Sequence, residues 1–451
     1  MSSIFDKFAP LQEQHAALTA LGRSPADIEF QEIISPTEAM LNGKRTVLMG
    51  TNNYLGMTFD DDAVEAATQA LKIEGTGTTG SRIANGSYDG HKALEKELAE
   101  FYGMRSAILF STGYQANLGA IAALAGRDDY LLVDADSHAS IYDACRLSDA
   151  QVIRFRHNDP DNLDRKLKRL EGSSGSKIIV VESIYSMLGD MVPLKDFVDI
   201  KKKHGAYLLI DEAHSLGVLG EKGRGLCEQT GLEDDIDFIT GTFSKSIGTV
   251  GGFLVSNLPG LDIVRFVSRP YMFTASPPPS VVASARVTLS RIAGATDLRK
   301  KLWDNASQLY NGLKDAGFEL GPTLSPIVAI RLKSPEQAIT LWNGLLDAGI
   351  YTNLALPPAT PFGWYLLRSS ISAAHTPEQI ALAVDVCTKI GHELGLITLS
   401  NSKKASTDEL QTNGRAPLNG ASEASASGAA EAEAVEQPTP DGTAASLSAP
   451  R

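Results

Sequence analysis

Short apolar runs alternate with longer amphipathic stretches through the middle of the chain. Residues 107–110, 130–133, 178–181, 207–210, 238–240 and 253–255 form such runs, rich in Ile, Val and Leu, and most are separated by stretches with helical spacing. This pattern predicts buried strands of a mostly parallel sheet joined by crossover helices, hence a three-layer α/β domain. In open sheets of this kind ligands gather at the carboxyl ends of the strands, where the chain enters loops and helix N-termini. Nearly every polar motif of the sequence falls at such an end.

After Pro277-Pro278-Pro279 the rhythm changes. A long helical stretch over 280–317 precedes strands at 327–332, 349–352 and 364–370. An amphipathic segment over 376–395 then opens with Thr376-Pro377-Glu378, a cap followed by proline in the first turn. These elements predict a smaller α+β domain. The expected division is an N-terminal helix and short strand over 1–60, packing on both domains and on a partner; a large α/β domain over 61–279; and a small domain over 280–400. Residues 401–451 are built from Ala, Ser, Glu, Thr, Pro and Gly, with no aromatic residue and no isoleucine. Such a segment buries too little apolar surface to offset the entropy of ordering, so a disordered tail is expected.

A chain of 451 residues, 43% of them hydrophobic, is long enough to bury large cores. Its formal net charge of -13 argues against a general nucleic-acid or anionic-membrane binder, because neither partner gains from an acidic surface. Cys145, Cys227 and Cys387 lie far apart and show neither CxxC nor Cys/His spacing, so no disulfide framework and no metal site is expected. The first residues carry acidic and polar groups where a signal peptide needs an unbroken apolar stretch, and no run is long enough to span a bilayer. The expected location is the cytoplasm, and loose peripheral contact with the inner membrane stays compatible with the sequence.

The sharpest local signal is Gly241-Thr242-Phe243-Ser244-Lys245-Ser246-Ile247-Gly248, followed by Gly251-Gly252-Phe253. A lysine in a small, Gly-rich loop after a strand can be desolvated, which favours the neutral amine that forms a Schiff base. The neighbouring hydroxyls, Thr242 and Ser244, could hold a phosphate. The spacing lacks the GxxxxGK[ST] of a P-loop, which leaves a surface loop lysine as the rival reading.

A second signal is Tyr207-Leu208-Leu209-Ile210-Asp211-Glu212-Ala213-His214, an apolar strand ending in an acid with a histidine three residues on. Asp211 could pair with a protonated pyridine nitrogen and so keep the ring of pyridoxal 5′-phosphate (PLP) an electron sink. His214 could bond the ring's phenolic oxygen or Asp211 itself. A metal site is the alternative for an Asp/His pair, but no third ligand stands at useful spacing. Third, Ser111-Thr112-Gly113-Tyr114 sits between a strand and an apparent helix over 116–125, so the backbone N–H groups of Gly113 and Tyr114 could face an anion; a plain strand-to-helix turn is equally common. Fourth, His138 follows another strand into the same crevice, where its ring could stack on a pyridine face, although a capping or core role is the simpler reading of one histidine.

With these segments in view, the chain resembles the α-oxoamine synthase family of fold-type I PLP enzymes over residues 8–396. The matching pieces are Asn53-Tyr54-Leu55-Gly56, Gly80-Ser81-Arg82 with His91, Asp211-Glu212-Ala213-His214, Gly241-Thr242-Phe243-Ser244-Lys245 and the run from Arg368 to Thr376. Three segments point to the bacterial members that condense L-serine with a long-chain acyl thioester. These are the block from Glu182 to Asp190, with Leu188 where relatives of other specificity have an acid, the block from Gly241 to Phe253, and Pro357-Pro358-Ala359-Thr360-Pro361.

The resemblance implies a PLP-dependent acyltransferase that forms 3-ketosphinganine from L-serine and palmitoyl-CoA or a carrier-protein thioester. It implies that Lys245 carries the cofactor, Asp211 and His214 serve the ring nitrogen and phenolate, and His138 stacks on the ring. Gly113, Tyr114, Thr242 and Ser244 would hold the phosphate, with Thr274 donated across a homodimer interface; Asn53, Tyr54 and Arg368 would meet the substrate. Arg368 would grip the carboxylate, a bidentate task that suits guanidinium. Relatives often carry an arginine just before the Pro-Pro-Ala-Thr-Pro loop, where Leu356 stands here. Either Arg368 alone grips the carboxylate, or the donor is glycine or alanine, as in the 8-amino-7-oxononanoate, 2-amino-3-ketobutyrate and 5-aminolevulinate synthases.

Overall fold

The computed structural model describes residues 3–357, 360 and 363–398. The expected tail, and Pro358, Ala359 and Pro361 of the proline-rich loop, lie outside the described residues.

Seven strands form the central sheet: β1 (Ser106–Phe110), β2 (Tyr130–Asp134), β3 (Gln151–Phe155), β4 (Lys177–Glu182), β5 (Tyr207–Asp211), β6 (Phe238–Thr242) and β7 (Gly252–Ser256). Their order is β1-β7-β6-β5-β4-β2-β3. The run from β6 to β3 is parallel, and β7 pairs antiparallel with both β1 and β6.

The strands read as continuous apolar runs because both faces are covered. Ile108, Leu131, Val133, Ile178, Val180, Leu209 and Leu254 pack on one face against Ala116, Ala120 and Ile121 of helix Gly113–Leu124 and Ile141 of helix Ala139–Leu147. Their alternate neighbours Leu132, Ile179, Val181, Leu208, Ile210 and Phe253 point the other way, toward Leu94, Leu98, Leu163 and Phe197 of other helices. Each such apolar side chain, once buried, contributes roughly 1.5–3 kcal/mol. The result is the fold-type I three-layer arrangement, with a mostly parallel sheet at its centre.

One strand has no apolar run to announce it. Gln151–Phe155 lies at the sheet edge with mostly exposed side chains, so only its backbone pairing with β2 defines it. The helical stretch expected over 280–317 is two helices, Pro279–Ile292 and Thr296–Asp315, interrupted at Gly294 between two alanines. The final helix, Pro377–Glu393, starts at the predicted place: Thr376 caps it, and Gln379 returns a bond to the Thr376 backbone.

Two smaller sheets complete the fold. Ile327–Leu332, Tyr365–Ser370 and Asn353–Ala355 form an antiparallel sheet with Tyr365–Ser370 in the middle. The N-terminal region holds three strands where one was expected: Phe30–Ser35, Glu38–Leu41 and Lys44–Leu48. The last two are joined by Asn42-Gly43, both at positive φ (51° and 73°), the geometry a tight two-residue hairpin needs. The strand expected over 349–352 is split. Ile350–Tyr351 pairs in parallel with Val47 and Leu48, whereas Asn353–Ala355 joins the antiparallel sheet. Among the described residues no helix is long and apolar enough to cross a membrane.

Candidate active site

A cavity of about 300 Å³ opens at the carboxyl ends of β4, β5 and β6. Its walls include Gly113, Tyr114, His138, Asp211, His214, Thr242, Ser244 and Lys245, eight of the residues singled out from the sequence, brought together from segments up to about 130 residues apart. Asn117, Ser140 and Glu182 line it as well.

Asp211 ends β5 and is only 7% exposed. Its Oδ1 accepts the Ala213 N–H at 2.8 Å and its Oδ2 accepts from Asn117 Nδ2 at 2.7 Å. Asn117 is in turn oriented by Thr240, whose hydroxyl donates to its Oδ1 at 2.8 Å, and its Nδ2 also lies 2.9 Å from Ser140 Oγ. A buried carboxylate with two directed donors keeps one orientation and stays ready to accept from a cationic partner.

Lys245 stands in the turn after β6, where Ser244 and Ser246 flank it. Burial pushes its ammonium down to about 8, with the charge of Arg368 adding to that, while Asp211 and Glu182 act in the opposite direction. The outcome is a lysine that exchanges its proton near neutrality, as a nucleophilic amine must.

Two histidines complete the walls. His214 is buried, and burial with the nearby Lys245, Arg368 and His138 charges holds it well below the usual imidazole range, hence neutral. Its Nδ1 lies 2.7 Å from the Tyr54 hydroxyl. His138 caps helix Ala139–Leu147: its Nδ1 accepts the Ser140 N–H at 3.2 Å and sits 2.8 Å from Ser140 Oγ. Burial lowers its pKa also. Capping thus fixes the ring of a residue that also lines the cavity.

The helix starting at Gly113 presents its N-terminus to the same space, with Thr112 as cap. A side chain at Gly113 has no room: a Cβ there would sit 2.5 Å from Thr242 Cβ. The Thr242 hydroxyl lies 2.9 Å from that of Ser244. Helix N-terminal N–H groups, two hydroxyls and a backbone pressed close are the groups that an anion cradle needs. Tyr114, 40% exposed, bonds Asp143 through its hydroxyl.

Four expected site residues stand outside the cavity wall. Tyr54 is fully buried behind His214. Arg368, 6% exposed, donates through Nε to the Ser186 carbonyl and through Nη1 to Asn52 Oδ1 at 3.0 Å and Ser370 Oγ at 2.6 Å. Asn53 turns away: its amide donates to Thr58 at 2.8 Å, and its buried Oδ1 has no partner among the described residues. Thr274 accepts from Gln115 Nε2 at 3.3 Å and does not reach the cavity of its own chain.

Sequence reasoning passed over three wall residues. Glu182, 3% exposed, accepts the His138 N–H, and burial together with Asp211 pushes its carboxyl well above the usual range. An acid at the end of an apolar strand was the available signal, the same one that exposed Asp211. Asn117 and Ser140 could have been found as polar residues on the buried faces of helices beside the strand ends.

The donor set fits pyridoxal phosphate: a lysine with a lowered pKa, a buried carboxylate with directed donors and a helix N-terminus closed by two hydroxyls share one cavity. Among the described residues no cluster could hold a metal ion.

Residues 44–386 match the aminotransferase class I and II family. The chain is 54% identical over 394 residues to a serine palmitoyltransferase of Caulobacter vibrioides, covering 87% of this chain and 98% of that one. It is 50% identical over 397 residues to the serine palmitoyltransferase of Sphingomonas paucimobilis, covering 87% and 94%. The solved serine palmitoyltransferase of Sphingomonas wittichii superposes with a TM-score of 0.86 at 52% identity, covering 88% of this chain and all of that one. A serine palmitoyltransferase structure carrying a PLP internal aldimine gives the same TM-score at 50% identity and the same 88% coverage. The chain therefore belongs to the aminotransferase class I and II family and, within it, groups with the serine palmitoyltransferases.

Proposed function

We propose that this chain is a PLP-dependent acyltransferase that condenses L-serine with a long-chain acyl thioester, palmitoyl-CoA or a carrier-protein equivalent, with loss of CO2 and thiol, to give 3-ketosphinganine. The observation that carries the reading is the convergence of Lys245 and Asp211 on one cavity in a chain half identical to named serine palmitoyltransferases.

Bound pyridoxal phosphate would supply an aldehyde for amino groups and a ring that draws electrons from the substrate Cα. Lys245 would hold the aldehyde and, when displaced by serine, take the Cα proton as a neutral amine, the role its lowered pKa suits. Asp211 would keep the ring nitrogen protonated, and His214 would donate to the phenolic oxygen. His138 would cover the ring face, and the N–H groups of Gly113 and Tyr114 with the hydroxyls of Thr242 and Ser244 would hold the phosphate. Arg368 would bind the serine carboxylate until decarboxylation. With Leu356 in place of a second arginine, Arg368 is the guanidinium assigned to that task.

A homodimer with shared active sites belongs to the same reading. Ile263, Phe266, Val267 and Phe273 are all more than half exposed beside Thr274, an apolar surface that a second copy would cover while bringing Thr274 to the partner's phosphate. A cytoplasmic location, with no more than peripheral contact at the inner membrane, is supported by three free and buried cysteines.

The test is product identification. The purified chain, loaded with PLP and mixed with L-serine and palmitoyl-CoA, should release 3-ketosphinganine, detected by mass spectrometry. Faster turnover with glycine or alanine would overturn the choice of serine.

A further inference from the structure

Thr274 carries a hydrogen-bond donor that its own chain does not use. Its hydroxyl oxygen accepts from Gln115 Nε2 at 3.3 Å, and among the described residues its proton is donated to nothing. The Gln115 amide has no other hydrogen bond among those residues, since its Oε1 is buried without a partner. Resting on the reading that two copies of the chain share their phosphate sites, we propose that Gln115 is a positioning residue for the other copy's site: it aims the Thr274 hydroxyl at the phosphate bound there.

The backbone around Thr274 is held independently of that amide. Ser111 Oγ donates to the Ala275 carbonyl at 2.5 Å, the Ser276 N–H donates to the Gly80 carbonyl at 3.0 Å, and His91 Nε2 lies 2.9 Å from the Pro277 carbonyl. These anchors set where the hydroxyl sits and leave open where its proton points.

That direction follows from donor inventory. A threonine hydroxyl has one proton and two lone pairs, so an amide N–H on a lone pair turns the proton away from Gln115. Without the amide the hydroxyl rotates, and an anion must first stop the rotation; a donor fixed beforehand binds more tightly. Gln115 thus acts in two places. Its backbone N–H donates to the Thr112 cap at 3.1 Å, in the helix turn that faces its own cavity, whereas its side chain serves the other copy.

Mixed dimers of differently tagged chains separate the two roles, because only a chain with Lys245 fixes the cofactor on borohydride reduction. The measured quantity is the pyridoxal phosphate concentration that half-saturates this fixation. With Gln115→Met placed on a Lys245→Ala chain and the other chain unaltered, it should rise about fivefold against a dimer altered only by Lys245→Ala, the loss of about one hydrogen bond. With Gln115→Met placed on the chain that keeps Lys245, it should not change. No rise in the first dimer, or equal rises in both, overturns the proposal. Tighter binding in the first also overturns it, since the amide would then be taking the Thr274 proton. Adding Thr274→Val to the chain that bears Gln115→Met and Lys245→Ala should cost no more than Thr274→Val alone, because the effect runs through one hydroxyl; additive losses overturn it. Where Gln115→Met fails to fold, the shorter Gln115→Asn should give the same loss across the dimer, and no loss overturns the proposal. A chain that sediments as a monomer overturns the shared-site reading and this proposal with it. A dimer that takes up no pyridoxal phosphate overturns the functional reading on which both stand.

Discussion

His157 Nε2 lies 2.6 Å from an Asp190 carboxylate oxygen, and its other ring nitrogen lies 2.8 Å from Asp134. Held between two acids, the imidazole is pushed up to about 10 despite the opposing effect of burial. This ion cluster ties the end of β2 to the turn that carries the Ser186 carbonyl, and that carbonyl accepts from Arg368. Replacing His157 by Gln leaves two buried carboxylates unbalanced and should cost about 3–5 kcal/mol, measured by urea unfolding. The sign of the pH dependence follows from a raised folded-state pKa. The stabilisation is complete below the ordinary imidazole value and is lost as the pH rises through about 10. Wild type should lose stability over that window, and the His157→Gln variant should lose markedly less.

Lys245 titrates near 8 in the absence of cofactor. The neutral amine attacks an aldehyde, so the rate at which apoprotein takes up pyridoxal phosphate should climb with pH and level off above about 8. Stopped-flow absorbance reads this directly. A rate still rising toward the ordinary lysine value would mean the amine is not desolvated. Lys245→Ala should abolish turnover, while the folded sheet around it stays intact by circular dichroism.

Asn117 was passed over in the sequence, yet it directs Asp211. Asn117→Leu should weaken cofactor binding, because a buried carboxylate loses a donor, worth roughly 1.5–3 kcal/mol. An apoprotein titration with pyridoxal phosphate, followed by absorbance, checks it. An unchanged dissociation constant would mean that Ala213 alone holds the carboxylate.

The strand-end residues were legible because their chemistry sits at the end of an apolar run: Asp211 after Leu208, Leu209 and Ile210, and Lys245 three residues past Thr242. The three-layer fold was legible for the same reason, since both sheet faces are covered and the strands are apolar throughout. What escaped lacks that signature. Asn117 and Ser140 act from helices, where one polar residue on a buried face looks like any other. Gln151–Phe155 is an edge strand with mostly exposed side chains, so polar Gln151 and Arg154 interrupt any apolar run. The N-terminal hairpin carries a local signal in Asn42-Gly43, a dipeptide suited to the positive φ of its turn. Its parallel partner, Ile350–Tyr351, lies some 300 residues away, and no local pattern encodes such a pairing.

Gly113 is fixed by Thr242 rather than by its own backbone angles. Gly113→Ala would force a Cβ to 2.5 Å from Thr242 Cβ, so the helix N-terminus must retreat from the phosphate position. Cofactor affinity should drop by about tenfold or more, with little change in thermal melting of the apoprotein.

The parallel pairing of Val47 with Ile350 has a consequence for the order of synthesis. On the ribosome, the central sheet with Asp211 and Lys245 is complete before Ile350 has been made, so a nascent chain can already assemble the lysine and carboxylate walls. Asn52 meets Arg368 only after the later strand has emerged. A chain stalled before Arg368 would hold the Lys245 and Asp211 walls of the cavity without the Asn52–Arg368 contact, so on the proposed reading it would take up the cofactor before it could grip the amino acid.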